Sequence, residues 1–513
     1  MRRADRVTRR QVLSGGGLAL LGLAGGCTGA RLAATRGPSG VSRASPAGPE
    51  PGQSGPATEP VAGPRTRVAS LTARETDVDL GGQVVSTWAY SDQVPGPLLR
   101  GTAGEVLEVR LGNRLPRETT IHWHGMAVPY DQDGVPGLPL PAVGPGQDGH
   151  YRFVLPHPGT YWYHPHVGVQ LDRGLYGVVV IDDPHEPGDY DVELVVVLDD
   201  WLDGTGRTPD EVLRRLAGGM AGMGGMAGTG GGTAGGSAAM PRFRSPLLGG
   251  DAGDVGYPYF LVNGRLPGAP ATLRALPGQR ARIRLVNVAA DTAFRVALGG
   301  HRLTVTHGDG FPVDPVTVDT VLLAMGERYD LEVTLEEGAF PLVAVAEGKG
   351  GQGLAILRTA AGATPPARAR PAELRRRLLR LADLRATADV ALPDHPPDRV
   401  HDVVLEGDMM EWRWTINGHG GGDMARLPVA GGERVRLRFV NLSSMFHPMH
   451  VHGHTFQVRL GGRTGPRKDT VIVLPLETVV ADLVADNPGH WLTHCHNLYH
   501  SESGMMAVLD YVS

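Results

Sequence analysis

The sequence predicts an all-β chain made of three related β-sandwich domains in tandem. Composition is the first observation behind this. The 513 residues include 74 Gly and 41 Pro with 41% hydrophobic residues, a turn-rich balance that favours short strands. An internal repeat is the second. Gly104–Asn113 (GEVLEVRLGN), Gly278–Asn287 (GQRARIRLVN) and Gly432–Asn441 (GERVRLRFVN) each alternate apolar and polar residues between a Gly and an Asn nine positions apart. That alternation is the mark of a half-buried strand, and three copies imply three copies of one domain. Other short apolar runs bounded by turn residues read as strands: Glu105–Leu111, Gly149–Leu155, Gly177–Ile181 and Val192–Leu198. The expected domains are 66–185, 186–360 and 401–513, with a linker over 361–400.

The N-terminus reads as a targeting segment. Thr8-Arg9-Arg10-Gln11-Val12-Leu13 resembles a twin-arginine export signal, and the apolar run from Val12 to Ala24 is too short to span a bilayer as a standard helix. Ala24-Gly25-Gly26-Cys27 resembles a bacterial lipobox with Ala at the usual aliphatic position. Residues 1–27 are thus expected to direct export to the outer face of the cell membrane or the cell envelope. Cys27 is then either a lipid anchor, the one expected tie to a membrane, or lost by ordinary cleavage nearby. Residues 28–65, rich in Gly, Pro, Ala, Ser and Thr, have the composition of a disordered tether. Residues 217–240 hold Met220, Met223, Met226 and Met240 in a Gly-rich bed. Such a bed forms no packed element; it is either a flexible insertion or a thioether trap for Cu(I), an ion that soft sulfur favours. Within the linker, Glu373–Leu384 is expected to form a short amphipathic helix with Leu374, Leu378, Leu381 and Leu384 on one side. The formal charge of −5 gives no reason to expect a nucleic-acid partner, and two cysteines, Cys27 and Cys495, form no disulfide framework.

The residues downstream of the repeated Asn point to chemistry. His122 and His124 stand nine and eleven residues after Asn113, His450 and His452 at the same offsets after Asn441, and Val296 and Leu298 after Asn287. A second match aligns Pro158-Gly159-TYWY-His164-Pro165-His166 with Pro488-Gly489-HWLT-His494-Cys495-His496. The outer domains therefore each hold two His-X-His pairs, and the middle domain has apolar residues instead. On an extended segment residues i and i+2 share a face, so each pair can grip metal on one side. Cys495, with His500 and Met505 downstream, forms a second ligand loop, and His447, which has Thr119 as its counterpart in the first domain, is the candidate for a further histidine. Two His, a Cys and a weak axial Met is the ligand set of a blue-copper site. His494 and His496 point away from the face Cys495 uses, so one backbone segment would join two metal centres. A zinc-like Cys/His cluster is the alternative for the stretch alone; the full set favours copper.

These residues resemble the multicopper oxidase family, which includes laccases and bacterial cuprous oxidases, over about Arg67 to Ser513. Its four motifs stand as HWHG at His122–Gly125, HPH at His164–His166, HPMHVH at His447–His452 and HCHNLYHSESGM at His494–Met505. The resemblance implies three tandem cupredoxin-like Greek-key sandwiches and four copper ions. His447, Cys495 and His500, with axial Met505, would hold the type 1 copper, and His122 and His450 the type 2 copper. One type 3 copper would take His124, His164 and His496, the other His166, His452 and His494. Single electrons from the reducing substrate would enter at the type 1 site and pass through Cys495 to His494 and His496. O₂ would be reduced to water at the three-copper cluster between the outer domains. Asp133, eleven residues after His122, matches an acid that relatives place near the cluster; a plain turn role in Asp131-Gln132-Asp133-Gly134 is its alternative. Relatives often carry Glu directly after the last type 1 histidine; here Ser501 stands there and Glu502 one place on, which puts a second proton relay in question.

The expected activity is oxidation of Cu(I) in copper tolerance, motivated by the Met-rich insertion and by Met409, Met410, Met445 and Met449. A laccase-type oxidation of phenols and aromatic amines is the alternative, because it needs an accessible edge of His447 or His500. A non-enzymatic scaffold of the same fold is a third reading, disfavoured because every ligand is kept.

Overall fold

The computed structural model describes residues 64–186, 189–218, 243–408 and 412–512. Cys27 with the leader, nearly all of the 28–65 stretch, Met220, Met223, Met226, Met240, Met409 and Met410 lie outside the described residues.

Each repeat segment is a central strand, and each plays the same part in its sheet. Val106–Asn113 runs parallel to Thr66–Asp79 and antiparallel to Asp148–Val154. Arg280–Asn287 does the same between Val192–Trp201 and Arg328–Thr334. Arg434–Asn441 does so between Arg399–Asp408 and Thr478–Val484. A second sheet covers each of these. In the first domain it has four strands, ending on Gly159–His164 beside His122–His124; in the second and third it has five. The layers close over apolar side chains that alternate inward along every central strand, such as Val109 and Leu111, Ile283 and Leu285, and Leu437 and Phe439.

The Asn that ends each repeat has a physical reason. Asn113, Asn287 and Asn441 are fully buried. Asn441 Nδ2 donates to the carbonyls of Met445 and Val473, at 2.7 and 3.1 Å, and its Oδ1 accepts from Ser443 N. Asn287 does the same with Thr292, Leu323 and Ala289, and Asn113 with Arg117, Val143 and Leu115. The amide thus pins the chain where it crosses from one sheet to the other. That fixes the strand carrying His122 and His124, or His450 and His452.

The amphipathic helix expected over Glu373–Leu384 does not form. Two 3₁₀ turns, Ala372–Arg375 and Leu381–Asp383, flank an extended step in which Leu378 bridges Thr320 and Leu379 N donates to Thr320 O. The buried leucines are Leu374, Leu379 and Leu384, a spacing that no helix face offers. A lone twelve-residue helix is marginal in water, and here the backbone finds sheet-edge partners on the second domain instead.

A buried ion network seals the first domain to the second. Asp330 accepts from Thr160 Oγ1 at 2.7 Å and pairs with Arg282 and Arg284. Burial alone would raise the Asp330 carboxyl, but the two guanidiniums outweigh it and hold it well below the carboxylate range. Beside it His307 is pushed down to about 4 by burial, with Arg282 and Arg284 adding to the shift against Asp330. The unfolded chain protonates His307 first, near 6.5, so this contribution to stability is intact above that pH and erodes as pH falls towards 4. At most about 3 kcal/mol is at stake, less for solvent reaching the partly buried ring. His307→Gln in the copper-free protein is expected to lose less stability than wild type between neutral and acidic pH. Urea denaturation at both ends of that window measures it.

Candidate metal centres

The two halves of the site are built alike. In the first domain His122 faces His164 directly across the antiparallel pair of His122–His124 with Gly159–His164. In the third, His450 faces His494 across His447–Val451 and His490–Cys495. His166, His452 and His496 lie just past the ends of their strands. In the second domain Val296 and Leu298 occupy the matching strand and are buried in its core.

The eight histidines come together in one nest. His122 stacks on His452 and His124 on His450, each with ring centroids 3.8 Å apart. His166 lies 5.1 Å from His452 and 5.0 Å from His494; His496 lies 4.8 Å from His124 and 5.4 Å from His164. Nitrogen atoms of His166, His452 and His494 converge within 4.8 Å of one another, as do those of His122, His450 and His452, and of His122, His124 and His164. The set expected for the remaining type 3 ion, His124, His164 and His496, is a neighbourhood of rings and not one of these convergent trios.

Six of the eight imidazoles are aimed by a partner on one nitrogen. His164, His450 and His494 use Nδ1 on the carbonyls of Pro165, Asp469 and Cys495, and His122 uses Nδ1 on that of Asp133. This leaves Nε2 of His122, His164 and His450 buried without a protein partner. His124 is turned the other way: Nε2 meets Thr470 Oγ1 at 3.1 Å and Nδ1 is the orphan. His496 has neither nitrogen satisfied. Buried nitrogens without partners are costly in an apo protein and are what a metal would satisfy. Burial, reinforced by the neighbouring imidazoles, lowers His124, His164, His166, His452, His494 and His496 well below their ordinary value. They are therefore neutral, the form that ligates.

Two carboxylates straddle the domain seam. Asp133 Oδ2 meets His452 Nδ1 at 2.8 Å while its Oδ1 lies 3.1 Å from His122 Nδ1. Asp469 Oδ1 lies 3.2 Å from His124 Nε2 and 3.4 Å from His450 Nδ1. Each acid thus touches both members of one stacked pair.

The sulfur set lies one residue away along the chain. Cys495 Sγ is 3.5 Å from His447 Nδ1 and 3.7 Å from His500 Nδ1, and those nitrogens are 3.1 Å apart. Met505 is fully buried in the same core as Cys495, and its carbonyl accepts from Cys495 N. Burial pushes the Cys495 thiol up and His500 down to about 3. Neighbouring domains clamp this loop: Asn497 Nδ2 donates to Asp291, and Tyr499 OH to Asp172 at 2.6 Å. Both distal imidazole nitrogens are taken, His447 Nε2 by Ser443 Oγ at 2.7 Å and His500 Nε2 by Asp254 Oδ2 at 2.8 Å.

Three sequence profiles described as multicopper oxidase match residues 72–186, 194–362 and 394–512. The chain is 48% identical to Multicopper oxidase MmcO of Mycobacterium tuberculosis, over 87% of this chain and 88% of that protein. The chain belongs to the multicopper oxidase family. It is also 29% identical to Copper resistance protein A of Escherichia coli, covering 85% of this chain and 91% of that one. Among solved structures, a multi-copper oxidase from Pseudomonas thermotolerans aligns at TM-score 0.65 and 29% identity, over 88% of this chain and all of that one. As a multicopper oxidase the chain is an oxidoreductase of cupredoxin fold that uses copper, takes electrons from a reducing substrate and delivers them to O₂.

Several site residues were not foreseen from sequence. Arg328 of the second domain reaches both outer domains: Nε donates to Thr160 O at 3.0 Å, and the guanidinium forks onto Asp469 at 2.7 and 2.6 Å. The middle domain thus bonds to both outer domains beside the nest. Its loop also brings Gly326 against the nest at φ +85°, where a Cβ would meet His124 Cε1 at 3.0 Å and His496 Cδ2 at 3.1 Å. Gly326→Ala is expected to cost roughly 1 kcal/mol in backbone strain and to push both rings aside. Metal analysis should then find copper lost from the nest while the blue absorption survives. Glu502 lines a small cavity with His164, His166, His494, His496 and Ser501. Burial pushes its carboxyl up to about 7. Met445 and Met449 are fully buried core residues, which removes them from any surface capture of Cu(I).

Proposed function

We propose that the chain oxidises Cu(I) with O₂ as acceptor, in copper tolerance at the cell envelope. The observation that carries the substrate is the sealing of the sulfur set. Both imidazole edges are hydrogen-bonded and buried, and the cap on His500 is a carboxylate, Asp254. A phenol that must lean on a free imidazole edge finds none, whereas a small cation needs no such edge. The relatives named for copper resistance support the same reading.

In this reading His447, Cys495, His500 and Met505 would hold a type 1 copper. His122 with His450, His124 with His164 and His496, and His166 with His452 and His494 would hold the other three. Bound copper supplies one-electron acceptance at the sulfur set and reduction of O₂ to water at the nest. The chain supplies the rest. Peptide bonds join Cys495 to His494 and His496, so the two centres share one strand end. Asp133 holds the tautomers of His122 and His452 and is placed to pass a proton to the nest. Glu502 sits at the cavity beside it and is the second candidate. The twin-arginine leader, with or without a lipid at Cys27, would place the enzyme outside the cytoplasm, and the methionines of 217–240 would gather its substrate.

The test is an anaerobic titration of the copper-loaded protein with Cu(I) and, in parallel, with a phenol, followed by O₂ uptake. Cu(I) is expected to be oxidised at least about tenfold faster. Asp254→Asn should slow Cu(I) more than the phenol. Equal or faster phenol turnover would assign the chain to laccase-type work.

A further inference from the structure

Because the imidazole edges are closed, the electron needs another way in. Two tryptophans of the third domain stand against the sulfur set. The indole of Trp414 stacks on His500, centroids 3.8 Å apart at 28°, and meets His447 edge to face with centroids 5.5 Å apart. Trp412 meets Trp414 edge to face at 5.8 Å and His500 at 6.2 Å. Trp414 is fully buried, and Trp412, at 6% exposure, is the outer ring of the pair.

This ladder is built rather than incidental. Gly407 pairs with Trp414 across Arg399–Asp408 and Arg413–Ile416, and a Cβ on Gly407 would collide with the Trp414 ring. The absence of that side chain gives the indole its slot. Trp412 holds φ +52°, a left-handed conformation that a bulky residue rarely adopts, and its Nε1 donates to Ser503 Oγ at 2.8 Å, beside the His500 loop. Trp414 Nε1 is buried with no acceptor. Among the described residues neither indole N–H meets a carboxylate or an imidazole. The stacked rings offer the electron a short tunnelling bridge, and neither indole is itself oxidised on the way.

We propose that Trp412 and Trp414 are the electron-entry relay to His500, carrying single electrons from an outer-sphere donor to the sulfur set. The donor loses one electron, the copper that His447, Cys495 and His500 would hold gains one, and both indoles end unchanged. No bond forms and no proton moves. The proposal rests on the reading of the sulfur set as a type 1 site.

The experiment uses the copper-loaded full chain without O₂ and follows bleaching of the blue band in stopped flow. Two donors are compared, Cu(I) in a weak complex and a reduced organic dye. Trp412→Leu is expected to slow bleaching about tenfold or more with both. Trp412→Phe, which keeps a ring and guards against a folding defect, should fall between. Band position, reduction potential and the rate of reoxidation by O₂ should match wild type, which a merely structural role for Trp412 would not predict. Bleaching of Trp412→Leu at the wild-type rate overturns the relay. So does slowing of both donors by Asp254→Asn while Trp412→Leu leaves them unaffected, which would route the electron through the carboxylate. A wild-type protein with no blue band overturns the type 1 reading itself, and the relay with it, whereas a normal band with unaltered rates refutes the relay only.

Discussion

Cys495→Ser is expected to abolish the blue absorption and to lower turnover with any one-electron donor at least about 10³-fold, roughly 4 kcal/mol of activation free energy. Oxygen in place of sulfur removes the thiolate, without which His447, His500 and the thioether of Met505 would not make a blue-copper set. The change is nearly isosteric, and Cys495 is fully buried, so packing alters little. The nest should survive, because His494 Nδ1 is held by the backbone carbonyl of residue 495 at 2.9 Å and not by the thiol. Metal analysis of the variant should show loss confined to the sulfur set. A variant that kept most of its turnover would show that electrons reach the nest by another road.

Arg328→Met is expected to cost about 3–5 kcal/mol of stability, the usual penalty for leaving a buried charge unpaired. Arg328 and Asp469 are both fully sequestered at the meeting of three domains. Burial would raise the Asp469 carboxyl, but Arg328, with help from His124 and His450, holds it well below the carboxylate range. Without the guanidinium the acid must either take up a proton or swing towards the two imidazoles. Both outcomes disturb His124 and His450, so copper content of the nest should fall with stability. Arg328→Lys should recover part of the loss but not all, since an ammonium cannot make the two-pronged contact. Urea denaturation and metal analysis on the same preparations would separate these effects.

The candidate ligand set was legible in the sequence because its spacing is local. The offsets from Asn113 and Asn441 are set within one domain by one strand and one crossing, and the structure shows the amide that enforces them. The carboxylates were harder. Asp469 follows Lys468 and precedes an apolar run, which reads as a turn; its importance arises only when Arg328 arrives from another domain. Asp254, Asp172 and Asp291 likewise act across domain boundaries, where no periodicity reports contact. Trp412 and Trp414 look like ordinary strand aromatics until His500 is seen against them. The linker misled for the opposite reason: its leucines had helical spacing, but the backbone had sheet edges within reach.

Asp133 comes from one half of the molecule and Asp469 from the other, and each grips an imidazole pair drawn from both. The arrangement is a handshake in which each party also holds the other's wrist. Neither half owns a finished site. Severing the chain between them while they stay docked should leave the centre intact, whereas parting them should erase it at a stroke. The centre is thus a property of assembly, so the chain must settle into its docked form before lasting metal uptake.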